Sequence, residues 1–273
     1  MELKSTTYDV VERIATITLS RPHRNNAWTG RMHAEYRWLL DKADQDADVG
    51  AIIVTGSGRA FCVGGDSEAL AGHVKKGGYD PGTPENLAKP GFGVAPEFDA
   101  VFACHFGLQK PVIGTINGPA AGVGLALACF CDIRFAVPGA KLTTAHGKLN
   151  LPAEYGLSWL LPRMVGLPRA IELLLSSRVF TTDEAYALGM IHHLVEPEQL
   201  LATTRAYVRK MLDTVSPNSL RQTRWQLFRD LHRDVATSVV ESEQLIKTMM
   251  KEPDYREGVT AFLEKRGPQW GKS

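Results

Sequence analysis

Two glycine-rich segments carry the residue types best suited to hold a negatively charged oxygen. The first is Arg59-Ala-Phe-Cys-Val-Gly-Gly-Asp66, and the second is Asn117-Gly-Pro-Ala-Ala-Gly-Val-Gly-Leu125. Each follows a strand-like segment and leads into a predicted helix, so each corner is expected to present backbone N–H groups without a partner inside the helix. Two such corners facing each other would make a two-donor pocket for one oxygen.

A two-donor pocket suits a reaction in which a carbonyl becomes an enolate. The oxygen gains negative charge as the neighbouring carbon loses a proton, and fixed donors in a dry site lower that barrier by about 3 kcal/mol apiece. The simpler alternative is that the glycines only serve tight turns and close packing. Asp66 is expected to cap the helix that follows it.

The elements that must position these corners alternate between strand and helix. Alternating polar and apolar residues over 8–19 predict a strand pair, and apolar strands are predicted over 51–55 and 112–116. This order favours an α/β domain with parallel strands and right-handed crossovers. The glycine- and proline-rich segment 73–95 is predicted to be a surface loop. From Pro197 onward nearly every segment has helical spacing, so the pattern alone predicts an α/β protein with a helical C-terminal region.

Composition narrows the partners to small molecules or other proteins. The 273 residues carry a formal net charge of +1 with mixed signs, which provides no field for nucleic acid or an acidic membrane. The four cysteines lie in apolar contexts without zinc-ligand spacing, so we expect buried reduced thiols and no metal site. The first residues lack an export-signal pattern, and the cytoplasm is expected. The uncharged run 111–131 contains Asn117 and Pro119 and is better explained by a buried strand, turn and helix than by a membrane span.

Six or more segments, in a fixed order, resemble the crotonase superfamily, also called the enoyl-CoA hydratase/isomerase family. They include Ser20-Arg-Pro-His-Arg-Asn-Asn-Ala27, Gly64-Gly-Asp66, Asn117-Gly118, Ala128-Cys-Phe-Cys-Asp-Ile-Arg134, Ser158-Trp-Leu-Leu-Pro-Arg-Met-Val-Gly166 and Ala185-Tyr-Ala-Leu-Gly-Met-Ile191. The resemblance covers nearly the whole chain. It implies a spiral core of ββα units over 1–196, a helical oligomerisation region over 197–273, and a homotrimer or a dimer of trimers.

The resemblance also implies where an acyl-CoA substrate would bind. In the family two backbone N–H groups bind the thioester oxygen, and the matching positions here are Gly65 and Val123. Relatives hold coenzyme A with the Arg-Pro turn and the first glycine corner, which here correspond to Asn25, Ala27, Val63, Asp66 and Ser67. Coenzyme A is then part of the substrate, and no separate cofactor is expected.

The acid/base positions depart from the best-known members. Hydratases of the two-glutamate type hold a water between two carboxylates, but the matching residues here are Ala126 and His146, so that mechanism cannot be carried over. Glu154, in Leu151-Pro-Ala-Glu-Tyr-Gly156, resembles the single acid/base of some enoyl-CoA isomerases. One carboxylate can remove a proton and return it two carbons along, and burial would raise its pKa. Alternatively, Glu154 only favours the start of the next helix.

His146 leaves a second set of alternatives open. An imidazole can act as a base near neutral pH, as histidines do in hydrolytic and dehalogenating relatives, or it can be a satisfied structural side chain. The other histidines are expected to be structural. The leading hypothesis is an enoyl-CoA isomerase, or a hydratase with non-standard acid/base groups. The alternatives are a crotonase-type hydrolase or lyase that uses His146, and a non-catalytic acyl-CoA-binding protein, which Ala126 suggests.

Overall fold

The structure is a computed structural model that describes residues 1–77 and 94–271. Most of the surface loop predicted over 73–95 therefore lies outside the described residues. The strands are β1 (Thr6–Val11), β2 (Ile14–Leu19), β3 (Ala51–Gly56), β4 (Val112–Ile116), β5 (Ala120–Ala121), β6 (Ile133–Ala136), β7 (Lys141–Thr143), β8 (Phe180–Thr181) and β9 (His193–Leu194). The helices are α1 (Gly30–Gln45), α2 (Ser67–Lys76), α3 (Cys104–Gly107), α4 (Val123–Cys129), α5 (Leu157–Val165), α6 (Leu167–Ser176), α7 (Thr182–Ala187), α8 (Leu200–Thr214), α9 (Pro217–Asp230), α10 (Val235–Met249) and α11 (Pro253–Glu264).

The main sheet has six strands in the order β1-β2-β3-β4-β6-β9. Strands β1 and β2 form the predicted strand pair, which is antiparallel, and every other pairing in this sheet is parallel. All residues of β3 and β4 are buried, as expected for parallel strands that are covered on both faces. Both glycine corners follow the carboxyl ends of these two central strands.

A smaller sheet of β5, β7 and β8 forms a second layer. The chain visits the two layers in alternation, because β4 is followed by β5, β6 by β7, and β8 by β9. Two isolated parallel bridges, Trp28 to Gly65 and Cys62 to Ala120, join the segments that follow β2 and β3 to this second layer. Strand, short strand and helix thus repeat as a spiral of ββα units, which confirms the predicted fold class.

Alternate side chains of β3 enter two separate cores. Ile52 and Val54 belong to the larger cluster, which includes Met32 and Tyr36 of α1. Ala51 and Ile53 face the opposite way, into a smaller cluster that α8 covers. A strand packed on both faces has a fixed register and direction, so its carboxyl end is a rigid base for the corner that follows.

The C-terminal helices α8 to α11 match the predicted helical region with shifts of a few residues. Helix α9 begins at Pro217 because Ser216 caps it, accepting a hydrogen bond from the Ser219 N–H, and proline is favoured in the first turn. Helices α10 and α11 expose large apolar side chains, among them Val235, Val239, Val240, Ile246, Phe262 and Leu263. Within the part of the chain that the structure describes, no helix is both long and apolar enough to cross a membrane.

Candidate active site

The first glycine corner pairs with the segment that follows the Arg-Pro turn. The Trp28 N–H donates to the Gly64 carbonyl over 2.7 Å, and the Asp66 N–H donates to the Trp28 carbonyl over 3.0 Å. In such a parallel bridge Trp28 bonds to the residues on either side of Gly65. The N–H of Gly65 itself therefore points away from Trp28.

The second glycine corner passes close beside the first. Cys62 and Ala120 form a parallel bridge, and the Ala121 N–H donates to the Cys62 carbonyl over 3.0 Å. The Gly122 N–H then donates to a carbonyl of β7 over 3.0 Å, and Val123 begins α4. The two corners therefore run side by side from the bridge to the start of the helix.

A glycine with positive φ precedes each candidate donor. Gly64 has a φ of 103° and Gly122 a φ of 49°, values that residues with a side chain rarely adopt. The two backbones also approach closely, because a Cβ built on Gly64 would lie 3.3 Å from the Ala121 carbonyl oxygen, and one built on Gly122 would lie 3.9 Å from the Gly64 Cα. These two glycines make the turns that directly precede Gly65 and Val123, at the place where the two backbones approach each other.

The N–H groups of Gly65 and Val123 donate to no acceptor within residues 1–77 and 94–271. No side chain caps α4, because its N-cap residue is Gly122. Val123 is 5% exposed, and buried backbone donors rarely stay unpartnered in proteins. Neither of the two donors predicted from the resemblance therefore has an acceptor among the described residues, and their role in binding an oxygen stays a prediction.

Arg21 and Asp66 form an ion pair that ties the Arg-Pro turn to the first corner. Arg21 Nη1 lies 2.9 Å from Asp66 Oδ2 and also donates to the Ala27 carbonyl over 2.7 Å. Arg24 adds a contact of 3.1 Å to Asp66 Oδ1. The same carboxylate accepts from the Glu68 N–H over 3.0 Å, which confirms that Asp66 caps α2.

The Asp66 carboxylate is held in its ionised form by these partners. Burial alone would raise the pKa of Asp66, but hydrogen bonds from Arg21, the Glu68 N–H and Arg24 bring it below its ordinary value. The carboxylate therefore stays charged at neutral pH, and it fixes the residue immediately after the Gly65 donor.

The five positions predicted to hold coenzyme A lie along these two joined segments. The Asn25 carbonyl accepts from the Val63 N–H over 3.3 Å, and the Asn25 side chain accepts from Arg59 Nε over 2.9 Å. Ser67 Oγ accepts from Arg24 over 3.0 Å. Together with Ala27 and Asp66 they form one continuous edge beside the first corner. Their role in binding coenzyme A stays a prediction.

Glu154 begins a short 3-10 turn, Glu154–Gly156, that packs against α4. Burial raises the pKa of its half-buried carboxyl, and the neighbouring His146 opposes part of that rise. No side chain caps α5, so Glu154 is not a hydrogen-bonded cap of that helix. Tyr155 has a φ of 52°, and left-handed non-glycine residues are typical of functional sites.

His146 differs from a satisfied structural histidine. Its side chain is 7% exposed, and its buried Nδ1 atom has no hydrogen-bond partner in the part of the chain that is described. Ala145, just before it, also has a left-handed φ, of 59°. Buried polar atoms are nearly always hydrogen-bonded in proteins, so the lack of a partner for this nitrogen among the described residues sets His146 apart from a satisfied structural histidine.

His105 provides the structural comparison. Its Nε2 lies 3.0 Å from the Tyr36 hydroxyl, and its Nδ1 donates to the Phe130 carbonyl over 3.2 Å. Burial lowers the pKa of His105 to about 3, so the ring is neutral and both nitrogens are occupied. This arrangement matches the structural role expected for the histidines other than His146.

The cysteines are buried thiols, and cysteine is also one of the residue types that commonly hold metal ions. All four cysteines are free and buried, as predicted, and burial raises the pKa of the Cys62 and Cys129 thiols to about 12. Among the residues for which coordinates are described, no three His, Cys, Asp or Glu side chains are grouped so that they could hold a metal ion.

Ala126 lies one turn after Val123 in α4 and is fully buried. Its methyl group can neither donate nor accept a proton. Glu154 and His146, whose charges interact with each other, remain the candidate proton carriers, and the turn that begins with Glu154 contacts α4.

A cavity of about 550 Å³ opens next to the Glu154 turn. Gly156 forms part of its wall, and Phe130, which directly follows α4, lies beside Gly156. The apolar part of the lining is mostly aromatic and consists of Phe98, Phe106, Phe130, Trp159 and Phe228. The cavity is large enough for a small organic group, since ligand pockets commonly measure about 300–1,000 Å³.

A family model described as enoyl-CoA hydratase/isomerase matches residues 9–273. The chain belongs to the enoyl-CoA hydratase/isomerase family. Its relatives include 1,2-epoxyphenylacetyl-CoA isomerase of Escherichia coli K12, which is 32% identical over 277 aligned residues that cover 96% of each chain. The short-chain-enoyl-CoA hydratase of Clostridium acetobutylicum is 27% identical, with 97% of each chain covered.

Solved structures agree with this membership of the enoyl-CoA hydratase/isomerase family. The enoyl-CoA hydratase of Mycobacterium smegmatis superimposes with a TM-score of 0.82 and 26% identity, covering 98% of this chain and 99% of that one. An enoyl-CoA hydratase of Mycobacterium tuberculosis H37Rv gives a TM-score of 0.84 at 25% identity, with the same coverage. The family and its crotonase fold, first indicated by the ordered motifs, are confirmed.

Two features of the candidate site were not predicted from the sequence: an ion pair and the aromatic lining of the cavity. The ion pair between Arg21 and Asp66 joins residues far apart in the chain, and no local pattern indicates it. The aromatic lining had a weak signal, because Phe98, Phe102 and Phe106 recur every four residues. That spacing resembles an ordinary helical core face and so does not point to a pocket.

Proposed function

We propose that this protein is an acyl-CoA isomerase that shifts a double bond through a thioester enolate. One observation carries the proposal: the N–H groups of Gly65 and Val123, on two adjacent corners, have no acceptor among the described residues. The turn that begins with Glu154 contacts α4, the helix that Val123 begins. Two preorganised donors favour a carbonyl oxygen more strongly as it becomes an oxyanion. The 1,2-epoxyphenylacetyl-CoA isomerase of Escherichia coli, by its name an isomerase of a CoA thioester, supports this reaction class.

The proposed reaction needs one group that carries a proton in both directions. With a 3-enoyl-CoA, ionised Glu154 takes a proton from C2, and the electron pair moves through the conjugated system onto the thioester oxygen. Protonated Glu154 then gives the proton to C4, which leaves a double bond between C2 and C3. A carboxyl with a raised pKa is suited to both steps because it is a stronger base than an ordinary glutamate and, once protonated, can return the proton.

His146 supports a second candidate, hydrolysis or lyase chemistry that uses an activated water. The observation in its favour is the buried Nδ1 atom without a partner among the described residues, together with the electrostatic contact between His146 and Glu154. A water bound to that nitrogen could attack the thioester carbonyl or add to a double bond. The lack of a carboxylate at Ala126 makes isomerisation the simpler reaction, since it consumes no water.

The two candidates are separated by substrate and by variant. We expect purified protein to convert 3-hexenoyl-CoA into 2-hexenoyl-CoA, followed at the ultraviolet absorbance of the conjugated thioester, and to lose this activity in Glu154→Gln but retain most of it in His146→Ala. Release of free coenzyme A that is abolished by His146→Ala and unaffected by Glu154→Gln would favour the hydrolytic candidate. Tight binding of acyl-CoA without turnover of enoyl, hydroxyacyl or β-diketone thioesters would indicate a non-catalytic member.

We also propose that the protein assembles as a homotrimer or a dimer of trimers, with coenzyme A bound as part of the substrate. The apolar side chains exposed on α10 and α11 support an assembly that covers them, because exposed apolar surface of this extent is typical of protein interfaces.

A further inference from the structure

We infer that the acyl group of the substrate carries an aromatic ring, which binds in the cavity beside Gly156. This inference rests on the proposed acyl-CoA function and specifies its substrate class. It is drawn from the position of the cavity, the nature of its walls and the pairing of the charges at its rim.

The cavity lies where the far end of an acyl group would reach. In the proposed function the thioester oxygen binds at the N–H of Val123, the first residue of α4, and Phe130 in the cavity wall follows seven residues later. A rise of about 1.5 Å per helical residue puts Phe130 about 10 Å along the axis from Val123. Gly156, in the same wall, ends the turn that begins with Glu154. A group attached a few carbons beyond the reacting carbons therefore reaches the cavity.

The walls of the cavity are built largely from aromatic rings. Phe106 and Phe228 stack with centroids 3.6 Å apart and planes inclined by 14°. Trp159 stacks on His232 at 5.5 Å with planes inclined by 20°. Rings that bind beside other rings gain affinity beyond their buried area, by an amount that corresponds to about two- to tenfold in Kd. A flexible alkyl chain gains no such term.

The size of the cavity also fits a ring with its spacer. A cavity of about 150 Å³ lined by apolar side chains is enough to hold benzene. The cavity here measures about 550 Å³, which leaves room for several methylene groups in addition to the ring. Gly156 and Ala103 are small residues in the wall, so the space is not filled from within.

The charges at the rim already have partners, which favours an uncharged occupant. Arg229 Nε lies 3.2 Å from Glu97 Oε1. Arg233 forms ion pairs with Asp230 and Glu241. A carboxylate on the substrate would have to compete with these acidic groups, whereas a neutral ring leaves the pairs intact.

The test measures binding of saturated thioesters, which cannot isomerise. Kd values of 4-phenylbutanoyl-CoA and octanoyl-CoA, chosen for similar apolar content, are measured by calorimetry with the full chain. We expect the phenyl thioester to bind about fivefold more tightly. In Phe228→Leu the ratio should fall to about one while octanoyl-CoA binds nearly as before, because leucine keeps the wall apolar but removes a ring. Leu227→Ala, at an exposed position next to it in α9, should leave the ratio unchanged.

Each outcome bears on a different claim. Equal affinity for the two thioesters, or a preference that survives Phe228→Leu and also Trp159→Leu, would overturn the aromatic assignment. A phenyl preference that Phe228→Leu abolishes, in a protein that shifts no double bond, would uphold the assignment and reject the isomerase proposal. Failure of both thioesters to bind would reject the acyl-CoA function and the inference with it.

Discussion

Replacing Val123 with proline is expected to lower kcat/KM for an enoyl-CoA by about 10²–10³-fold, the loss typical of one missing oxyanion donor. Proline removes the backbone N–H, and Val123 is the first residue of α4, where proline is favoured because that N–H has no partner in the helix. No native hydrogen bond from this N–H to a described residue is lost. The change is measured by steady-state kinetics on 3-hexenoyl-CoA.

The matched control is Val123→Ala, which shortens the side chain but keeps the N–H. We expect this variant to lose less than about tenfold in kcat/KM, because only packing changes. Circular dichroism and Tm establish that both variants are folded. If the alanine and proline variants were equally active, the backbone N–H of residue 123 would have no part in catalysis.

Replacing Glu154 with glutamine is expected to lower kcat by about 10²–10⁴-fold, the contribution typical of a positioned general acid/base. Glutamine has nearly the same shape but cannot take up a proton, so binding of a saturated acyl-CoA should change little. Stopped assays with 3-hexenoyl-CoA measure the loss, and calorimetry measures the binding. The matched control is Glu172→Gln, a change of the same type at an exposed residue of α6. That control should retain full activity.

The pH dependence of the same carboxyl follows from its raised pKa. Glu154 must be ionised to remove the first proton, so activity should fall as the pH drops through a value above the ordinary glutamate pKa of about 4.3. The raised pKa also means that the ionised form is less favourable in the folded than in the unfolded state. This unfavourable contribution is absent below the unfolded-state pKa and grows as the pH rises through the folded-state pKa.

Glu154→Gln should therefore be at least as stable as the wild type at pH 7, and the difference should vanish in acid. A glutamine variant that is less stable at neutral pH would contradict the inferred cost of the ionised carboxylate in the folded state. Thermal unfolding at several pH values distinguishes the two outcomes.

Much of the scaffold could be predicted because it is encoded locally. The apolar strands β3 and β4, the glycine corners after them and the cap by Asp66 each show in a few consecutive residues. The short strands of the second layer could not be predicted, because β5 and β8 have two residues each and no period can be read from two residues. These short strands exist only because their backbones pair with β7 in the folded chain.

Some features of the candidate site could likewise be predicted from local sequence, and others could not. Gly65, Val123 and Glu154 could be predicted as site residues because they stand in or next to the motifs that carry the family resemblance. That His146 Nδ1 has no partner among the described residues could not be predicted, since whether a buried ring finds a partner depends on residues that are distant in the chain. The aromatic cavity likewise combines side chains from α3, α5 and α9 with Phe130, which directly follows α4. Only the folded chain brings these side chains together.

The central claim, that two main-chain amides hold one substrate oxygen, is tested most directly by a crystal structure with a saturated acyl-CoA bound. The account predicts the thioester oxygen within about 2.7–3.1 Å of both the Gly65 and the Val123 nitrogens, with the Glu154 carboxylate facing C2. A thioester oxygen that contacts only one of these nitrogens, or neither, would contradict it.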